Sequence, residues 1–537
     1  TGRAQHTSSA YVPGVQQKWW TLVAVCAAIF MLLLDITIVN VALPYIQQAF
    51  HASLSDLQWV IDAYALTLAA FLLTAGSVAD LVGRRLVFAV GIVVFTVGSA
   101  LCGLAADPTF LALARAFQGI GGAIMFATSL ALLADAFPPR ERGVAFGVFG
   151  AVTGVAVAVG PVLGGVLTSG LSWRWIFFVN LPIGVFALLV TLREVAESKA
   201  PVAHRPDLLG FVTFTLGLTG LVYGLIRSHP DGWGSSTVLG SLLAAVVLLG
   251  VFLVVELRTR YPMLDLKLLR VPTFNGGLVA AWAISASLFS LITYMVLYLQ
   301  NVLGSSALDT GVRLLPMTGA IFLTAGLAGR LTGHVPTRLL IAPGFALIGA
   351  GLVLMRGITP ADDWTHLLPG MIVAGVGAGL VNVPLASTAV GVVEPARAGM
   401  ASGINSTFRQ IGIATGVAAL GSILATDVSN SVVSKLAGSP LASGSHQLAS
   451  AISNGSILQA LHGVPANHRA IAAVAAKSSF IDGLNSILLI GAIVAFAAAV
   501  ATLMLIRQRD FVDVQQGQAE GAGPAADVEP SGASVAA

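Results

Sequence analysis

Four polar residues stand inside stretches otherwise apolar enough to cross a bilayer: Asp35 in LLLDITIVNVALP (32–44), Asp62 in WVIDAYALTLAAF (59–71), and Arg115 and Gln118 in RAFQGIGGA (115–123). A charge at the centre of a spanning helix costs about 2.5–3.5 kcal/mol even on the lenient insertion scale, so such residues persist where something offsets that cost. For Asp35 the available offsets are an ion pair with Arg115 or another cation, a water-filled cavity, or reversible protonation. The last is chemistry, since a carboxyl could load a proton from one side and release it to the other. Arg115 keeps its own proton under accessible conditions and would act as a fixed charge that tunes Asp35 or orders water, with Gln118 a hydrogen-bond neighbour one turn away. Asp62 is expected in the first two turns of its helix, where the N-terminus favours negative charge. It reads either as an interfacial carboxylate or as a partner of Asp35 in a site for protons or a cationic compound. Asn40, further along the Asp35 segment, is grouped with the same cavity. Arg409 and Gln410 line the opposite half or lie at the cytoplasmic end of their helix. All nine histidines fall in loops, tails or near helix ends, which argues against a mid-membrane histidine relay.

These residues need a membrane scaffold, and the composition supplies one. Of 537 residues, 56% are hydrophobic and only 9% charged, against roughly a quarter charged in soluble domains. Windows of about 19 residues place helices near 20–43, 57–79, 86–105, 109–134, 143–168, 175–192, 207–226, 237–255, 275–299, 312–329, 338–355, 367–390, 402–424 and 484–506. The expected fold is an all-α polytopic membrane protein with fourteen spans and both termini on one side. Putting the termini in the cytoplasm assigns about 18 Lys and Arg to the inside and about 7 to the outside, the bias that membrane insertion requires. No cleavable signal peptide is expected, because the first apolar segment is long enough to span and follows a polar stretch.

The composition and motifs also exclude chemistry. There is no phosphate-binding GxxxxGK[ST] loop, HExxH zinc motif or GxSxG nucleophile elbow, so ATP hydrolysis, metal-dependent and serine-hydrolase chemistry are not expected, nor is any cofactor. No basic run interleaved with aromatics points to nucleic acid. Cys26 and Cys102, the only two cysteines, both fall in apolar spans and suggest neither a disulfide framework nor a metal site. An outer loop at 425–483, rich in Ala, Ser, Gly and Asn, is the largest expected soluble piece and has room for short surface helices. Residues 507–537 read as a disordered cytoplasmic tail. GSVADLVGRR (76–85) after the second span and GRLTGHVPTR (329–338) after the tenth form a faint repeat. It implies six-helix halves at 20–192 and 257–506, with two inserted helices within 193–256 and a short N-terminal segment at 1–19.

In order along the chain, LDITIVNVALP, GSVADLVGRR, RAFQGIGGA, GPVLGG (160–165), WRWIFFVNLPIG (173–184), YLQNVLG (298–304) and GINSTFRQIG (403–412) together resemble the major facilitator superfamily, and within it the fourteen-helix drug:proton antiporters of multidrug efflux. The resemblance implies a proton-coupled antiporter in a bacterial cytoplasmic membrane, working as a monomer by alternating access and exporting hydrophobic or amphipathic drugs, antibiotics or dyes. A dedicated exporter of one metabolite or lipid-like molecule, and a non-transporting membrane sensor, are the alternatives. In the loop motif, Gly76 and Gly83 are expected to permit close approach and a tight turn, while Asp80, Arg84 and Arg85 pair helix ends, with Asp135 the partner of Arg84. Breaking that pair would let one half rock against the other. In the GPVLGG motif, which in this family marks exporters, Pro161 bends the helix and Gly154, Gly160, Gly164 and Gly165 admit a neighbouring helix in a seam between the halves. RLLPMTGAIFLTAGLAGRL and STFRQIGIATGVAALGSIL hold no acid, which disfavours dications relative to lipophilic monocations, neutral amphiphiles, antibiotics or a secondary metabolite.

Overall fold

The computed structural model describes residues 15–138, 141–199, 207–260, 262, 264–332, 334–393, 398–453, 464–465 and 467–511. The N-terminal residues 1–14, Arg140 and the tail from 512 onward lie outside this description. Apart from one isolated bridge, Thr332 to Val335, the regular structure among the described residues is helical. The long helices are α1 (Val15–Phe50), α2 (Leu54–Val82), α3 (Arg84–Gly103), α4 (Pro108–Ala136), α5 (Arg142–Gly170), α6 (Trp175–Glu194), α7 (Leu208–Asp231), α8 (Ser236–Arg258), α9 (Pro272–Val302), α10 (Ala307–Leu331), α11 (Arg338–Leu354), α12 (Leu368–Gly391), α13 (Ala398–Leu436) and α14 (Arg469–Leu505). Eleven of these are long and apolar enough to cross a membrane. The bent helices α2 and α5 make thirteen if each is one span, and α11 is a shorter apolar helix.

Local signals set several of these boundaries. Ser53 and Asp56 form a capping box at the start of α2, and the Asp107 carboxylate accepts the Phe110 N–H while Pro108 opens α4. The bend in α5 separates Val148–Ala156 from Val159–Gly170. It falls where Pro161 removes the hydrogen bond to the carbonyl four residues earlier and crowds that carbonyl.

The packing makes the faint repeat visible. Within α1–α6, α2 and α3 pack on α4, while α1 packs on α5 and α6. Within α9–α14 the equivalent pairs recur, with α10 and α11 packed on α12 and α9 on α13 and α14. Two seams join these groups, α5 against α10 and α2 against α13, and the same symmetry relates them. The inserted pair α7–α8 lies at the second seam, where α7 meets α2 and α13 through Trp59 and Tyr223, Phe71 and Phe211, and the Ser228–Ser422 hydroxyl pair at 2.6 Å.

At the α1–α2 end the two groups are tied directly. Gln300 donates to the Val41 carbonyl (2.9 Å), Asn301 to Gln47 (3.2 Å), and the Leu308 N–H to Ser169 (3.1 Å). Nearer the middle, Thr293 donates to Asn40 (3.0 Å) and Gln58 to the Val417 carbonyl (3.2 Å).

The expected outer loop at 425–483 is shorter than its bounds suggest, because the helices expected at 402–424 and 484–506 extend into it. α13 and α14 run 39 and 37 residues, about 55 Å or more each, against a hydrocarbon core of about 30 Å. Their projecting ends enclose Val432, Leu436, Leu448, Ala476 and Phe480, all buried. The segment thus continues the main apolar core beyond the spans, with a short helix at Ser445–Ser453. Residues 454–463 of that loop lie outside the described residues. Ser, Asp and Asn in 425–436 and Arg, Lys and Asp in 469–483 hid these extensions, because they lower the apolar average of a window without preventing a helix.

Candidate functional site

α4 is drawn into the first group by its glycines. A Cβ on Gly119 would stand 2.6 Å from the Tyr64 carbonyl on α2, and one on Gly121 would stand 2.7 Å from the Phe95 Cα on α3. This close approach sets Arg115 and Gln118 against α1. Arg115 forms an ion pair with the Asp35 carboxylate through Nη1 and Oδ2, and the same Nη1 donates to Gln118 Oε1 at 2.8 Å. Gln118 Nε2 donates to Asp35 Oδ1 at 2.9 Å, and Asn180 on α6 donates to that oxygen at 3.3 Å. Arg115 Nε donates to the Val60 carbonyl (3.2 Å), and the guanidinium lies 4.1 Å from the Tyr64 ring centroid, a cation–π contact. Asn180 also donates to Ser99, whose hydroxyl donates to the Phe177 carbonyl. Asp35, Gln118, Asn180 and Ser99 are all fully buried. Of the three possible offsets for Asp35, the structure displays the ion pair.

Asn180 and Tyr64 are the residues that sequence reading missed. Both sit in quoted motif segments, and the available signal was an amide at the start of α6 with no solvent-facing reason to be there.

Asp62 lies deeper than expected. It is the ninth residue of α2, just past the first two turns, is fully buried, and neither carboxylate oxygen has a hydrogen-bond partner among the described residues. The helix starts at Leu54 rather than near 57, and the Ser53–Asp56 box occupies its N-terminus. Gln58, one turn earlier on the same face, reaches Val417 and Tyr294 in the second group, which places Asp62 on the face turned toward α9 and α13. No hydrogen bond joins it to Asp35, which is bound instead by α4 and α6.

Between the groups lies a cavity of about 70 Å³ lined by Ile36, Asn40, Ile61, Pro161, Thr293 and Met317 among others, with no ionisable side chain in its wall. A smaller neighbouring cavity touches Tyr64, Arg115 and Gln410, so the buried ion pair borders the space between the groups. Asn40 lines both cavities. Arg409 contacts Asn382 on α12 within the second group.

The loop motif is arranged differently from its expected form. Residues 76–82 continue α2, and the turn is Gly83 alone, with φ +140°. A Cβ on Gly76 would meet nothing within 4 Å among the described residues, and Gly76 does not form the turn. Gly83→Ala is expected to destabilise by about 1–3 kcal/mol through backbone strain, while Gly76→Ala stays near wild type. Thermal unfolding of both variants in detergent checks this pair of outcomes.

Arg84 donates to Asp80 (2.9 Å) and pairs with Asp135 (2.5 Å). Both partners lie on α2 and α4, inside the first group, so this pair braces one group internally and does not itself tie the two together. The segment after α6 completes the brace. The Glu197 carboxylate accepts the N–H groups of Arg85 (3.0 Å) and Leu86 (3.1 Å) at the start of α3. Ser198 donates to Asp135 (2.7 Å), and Arg85 donates to the Leu192 carbonyl (2.8 Å).

The glycines of the α5 motif divide by direction. Gly160 and Gly164 face Thr37 and Ile38 on α1, whereas Gly165 faces Ala307 and Leu308, and Gly154 faces Phe322, both on α10. Pro161 presents its main chain to Gly311 on α10. The motif therefore serves an internal α1–α5 contact as well as the α5–α10 seam.

Two pseudosymmetric helical groups, an apolar cavity between them and a buried ion pair at its edge define a multi-pass membrane transporter. The sequence matches the Major Facilitator Superfamily model over residues 25–417, and the chain belongs to that superfamily. It is 38% identical over 406 residues to the multidrug resistance protein Stp of Mycobacterium tuberculosis, covering 75% of each chain. It is 33% identical over 501 residues to the tetracenomycin C resistance and export protein of Streptomyces glaucescens, covering 92% of this chain and 93% of that one. Its fold resembles an inward-facing, occupied bacterial homologue of the human lysosomal transporter Spinster, with a TM-score of 0.63 at 16% identity, covering 93% of this chain and all of the other.

Proposed function

We propose that the chain is a proton-coupled exporter of hydrophobic or amphipathic small molecules in a bacterial cytoplasmic membrane, working as a monomer by alternating access between α1–α6 and α9–α14. In this reading all fourteen helices span, α7–α8 are the inserted pair, and both termini are cytoplasmic. The observation that carries it is the Asp35–Arg115–Gln118–Asn180 cluster, buried beside an apolar cavity at the junction of the two groups. Asp35 and Asp62 are the proton-handling residues. Arg115 is the fixed counter-charge, Gln118 and Asn180 orient the Asp35 carboxylate, and Asn40 faces the substrate. Asp80, Gly83, Arg84, Arg85 and Asp135 stiffen the cytoplasmic end of the first group, and Gly154, Pro161 and Gly165 form the flexible seam. One charge crossing 100 mV releases about 2.3 kcal/mol, enough for a concentration gradient of roughly fifty-fold at about 1.4 kcal/mol per decade.

The relatives' names support export of drugs, and one of them, named for tetracenomycin C, favours a second reading: export of a single secondary metabolite. Ethidium efflux from energised cells distinguishes the two. Efflux that stops with a protonophore supports the broad reading. A well-expressed protein that leaves ethidium untouched but clears one host metabolite supports the narrow one.

A further inference from the structure

The two seams between the groups are equivalent by symmetry but not in surroundings. α7 lies over the α2–α13 seam, where Leu218 and Val222 are buried in one cluster with Ala65, Ala69 and Ala418 from the two seam helices. The aromatic contacts of Phe71 with Phe211 and Trp59 with Tyr223 extend that cover along α2. The α5–α10 seam has no counterpart to α7 among the described residues packed on it. Its outer part is shut by close backbone approach, since a Cβ on Gly165 would stand 2.7 Å from Leu308 Cα. Nearer the middle the contact changes character. There Gly154 is met by the ring of Phe322, with Cδ2 3.2 Å from an added Cβ, and Phe322 itself is 43% exposed on the apolar outer surface. One residue away, Ile321 lines the central cavity, as do Pro161, Met317 and Thr318 from the same two helices. The cavity thus reaches the inner side of a seam on whose outer side the Phe322 ring lies against Gly154.

We infer that the α5–α10 seam is a lateral portal through which apolar substrate passes from the bilayer into the cavity, with Phe322 its door and Gly154 the bare surface against which that door rests. The inference builds on the export reading. α7 seals the symmetry-related route, so entry from lipid is one-sided. A ring on an exposed helix face can swing by side-chain rotation alone, whereas opening the Gly165–Leu308 contact requires backbone movement. The wall behind the ring is apolar, which suits a solute already concentrated in the hydrocarbon phase.

The test uses the full chain in liposomes containing a bilayer-confined aryl diazirine, photolysed and mapped by peptide mass spectrometry. Met317 and Thr318, both buried, are expected to be labelled in the wild type, while Ala65 and Ala418 at the covered seam are not. Phe322→Trp should lower labelling of Met317 and Thr318 several-fold, and Phe322→Ala should raise it. Labelling that ignores both substitutions, or that marks Ala65 and Ala418 as strongly as Thr318, overturns the portal. The efflux assay separates this from the underlying reading. A chain that exports substrate but labels indifferently to residue 322 keeps the export function and loses the portal. A chain that labels as expected but moves no substrate keeps the portal and loses the export reading.

Discussion

Arg115→Ala is expected to be among the most damaging single substitutions in the first group, costing about 3–5 kcal/mol, the usual consequence of leaving one member of a buried ion pair alone. Asp35 is fully buried and Arg115 nearly so. Truncating Arg115 therefore strands a carboxylate between α1, α4 and α6, and also removes the donor to the Val60 carbonyl. The midpoint of thermal unfolding in detergent should fall sharply, with less protein in the membrane. The double variant Arg115→Leu with Asp35→Leu should recover much of that loss, because an apolar pair removes both desolvated charges, yet it should not transport. An Arg115→Ala protein as stable as wild type would mean that water, rather than Arg115, offsets the Asp35 charge.

Gly165→Leu is expected to reduce efflux by about tenfold or more, a change of about 1.4 kcal/mol or more in the working equilibrium. An added Cβ there would stand 2.6 Å from the Ala307 carbonyl oxygen and 2.7 Å from Leu308 Cα, both backbone atoms that cannot rotate away. The substitution should wedge α5 from α10 at the end where the groups are otherwise tied. Gly154→Ala meets only the edge of Phe322 at 3.2 Å, a side chain that can shift, and should leave the outer closure of the seam intact. Cysteines placed at Ser169 and Leu308, neighbours across the seam, report the wedge directly. Their cross-linking should fall in Gly165→Leu and persist in Gly154→Ala. Equal cross-linking and full efflux in both variants would show that the outer closure of this seam does not matter for turnover.

What was legible from sequence follows from the strength of each physical signal. The long helices stood out because a spanning segment must be apolar almost throughout, and Asp35 and Arg115 stood out because the same rule makes them exceptions. Their pairing was one of three offsets that the cost of a buried charge left open, and only the packing of α4 against α1 selects it. The Arg84–Asp135 pair was also foreseeable, and both residues fall within the half at 20–192, so its place inside one group was legible too. Asn180 is a neutral amide with little hydropathy signature, and its role emerges only when α6 packs beside α1. Asp62 was placed one turn too shallow because apolar windows blur helix starts, whereas the Ser53–Asp56 box fixes the start of α2 in space. Gly76 was credited with a packing role that only the neighbouring atoms could refute. The projecting ends of α13 and α14 were hidden by polar and charged residues that lower a window's apolar average without preventing a helix.

The central claim is that the chain exchanges protons for substrate through Asp35 and Asp62, and proteoliposomes with a trapped pH-sensitive dye test it most directly. With an imposed pH gradient and an exported compound identified by the efflux assay, adding substrate should dissipate the gradient in wild type, and neither Asp35→Asn nor Asp62→Asn should do so although both remain folded in the membrane. Substrate movement with no change in internal pH in the wild-type protein, or undiminished proton movement in both variants, would contradict the account.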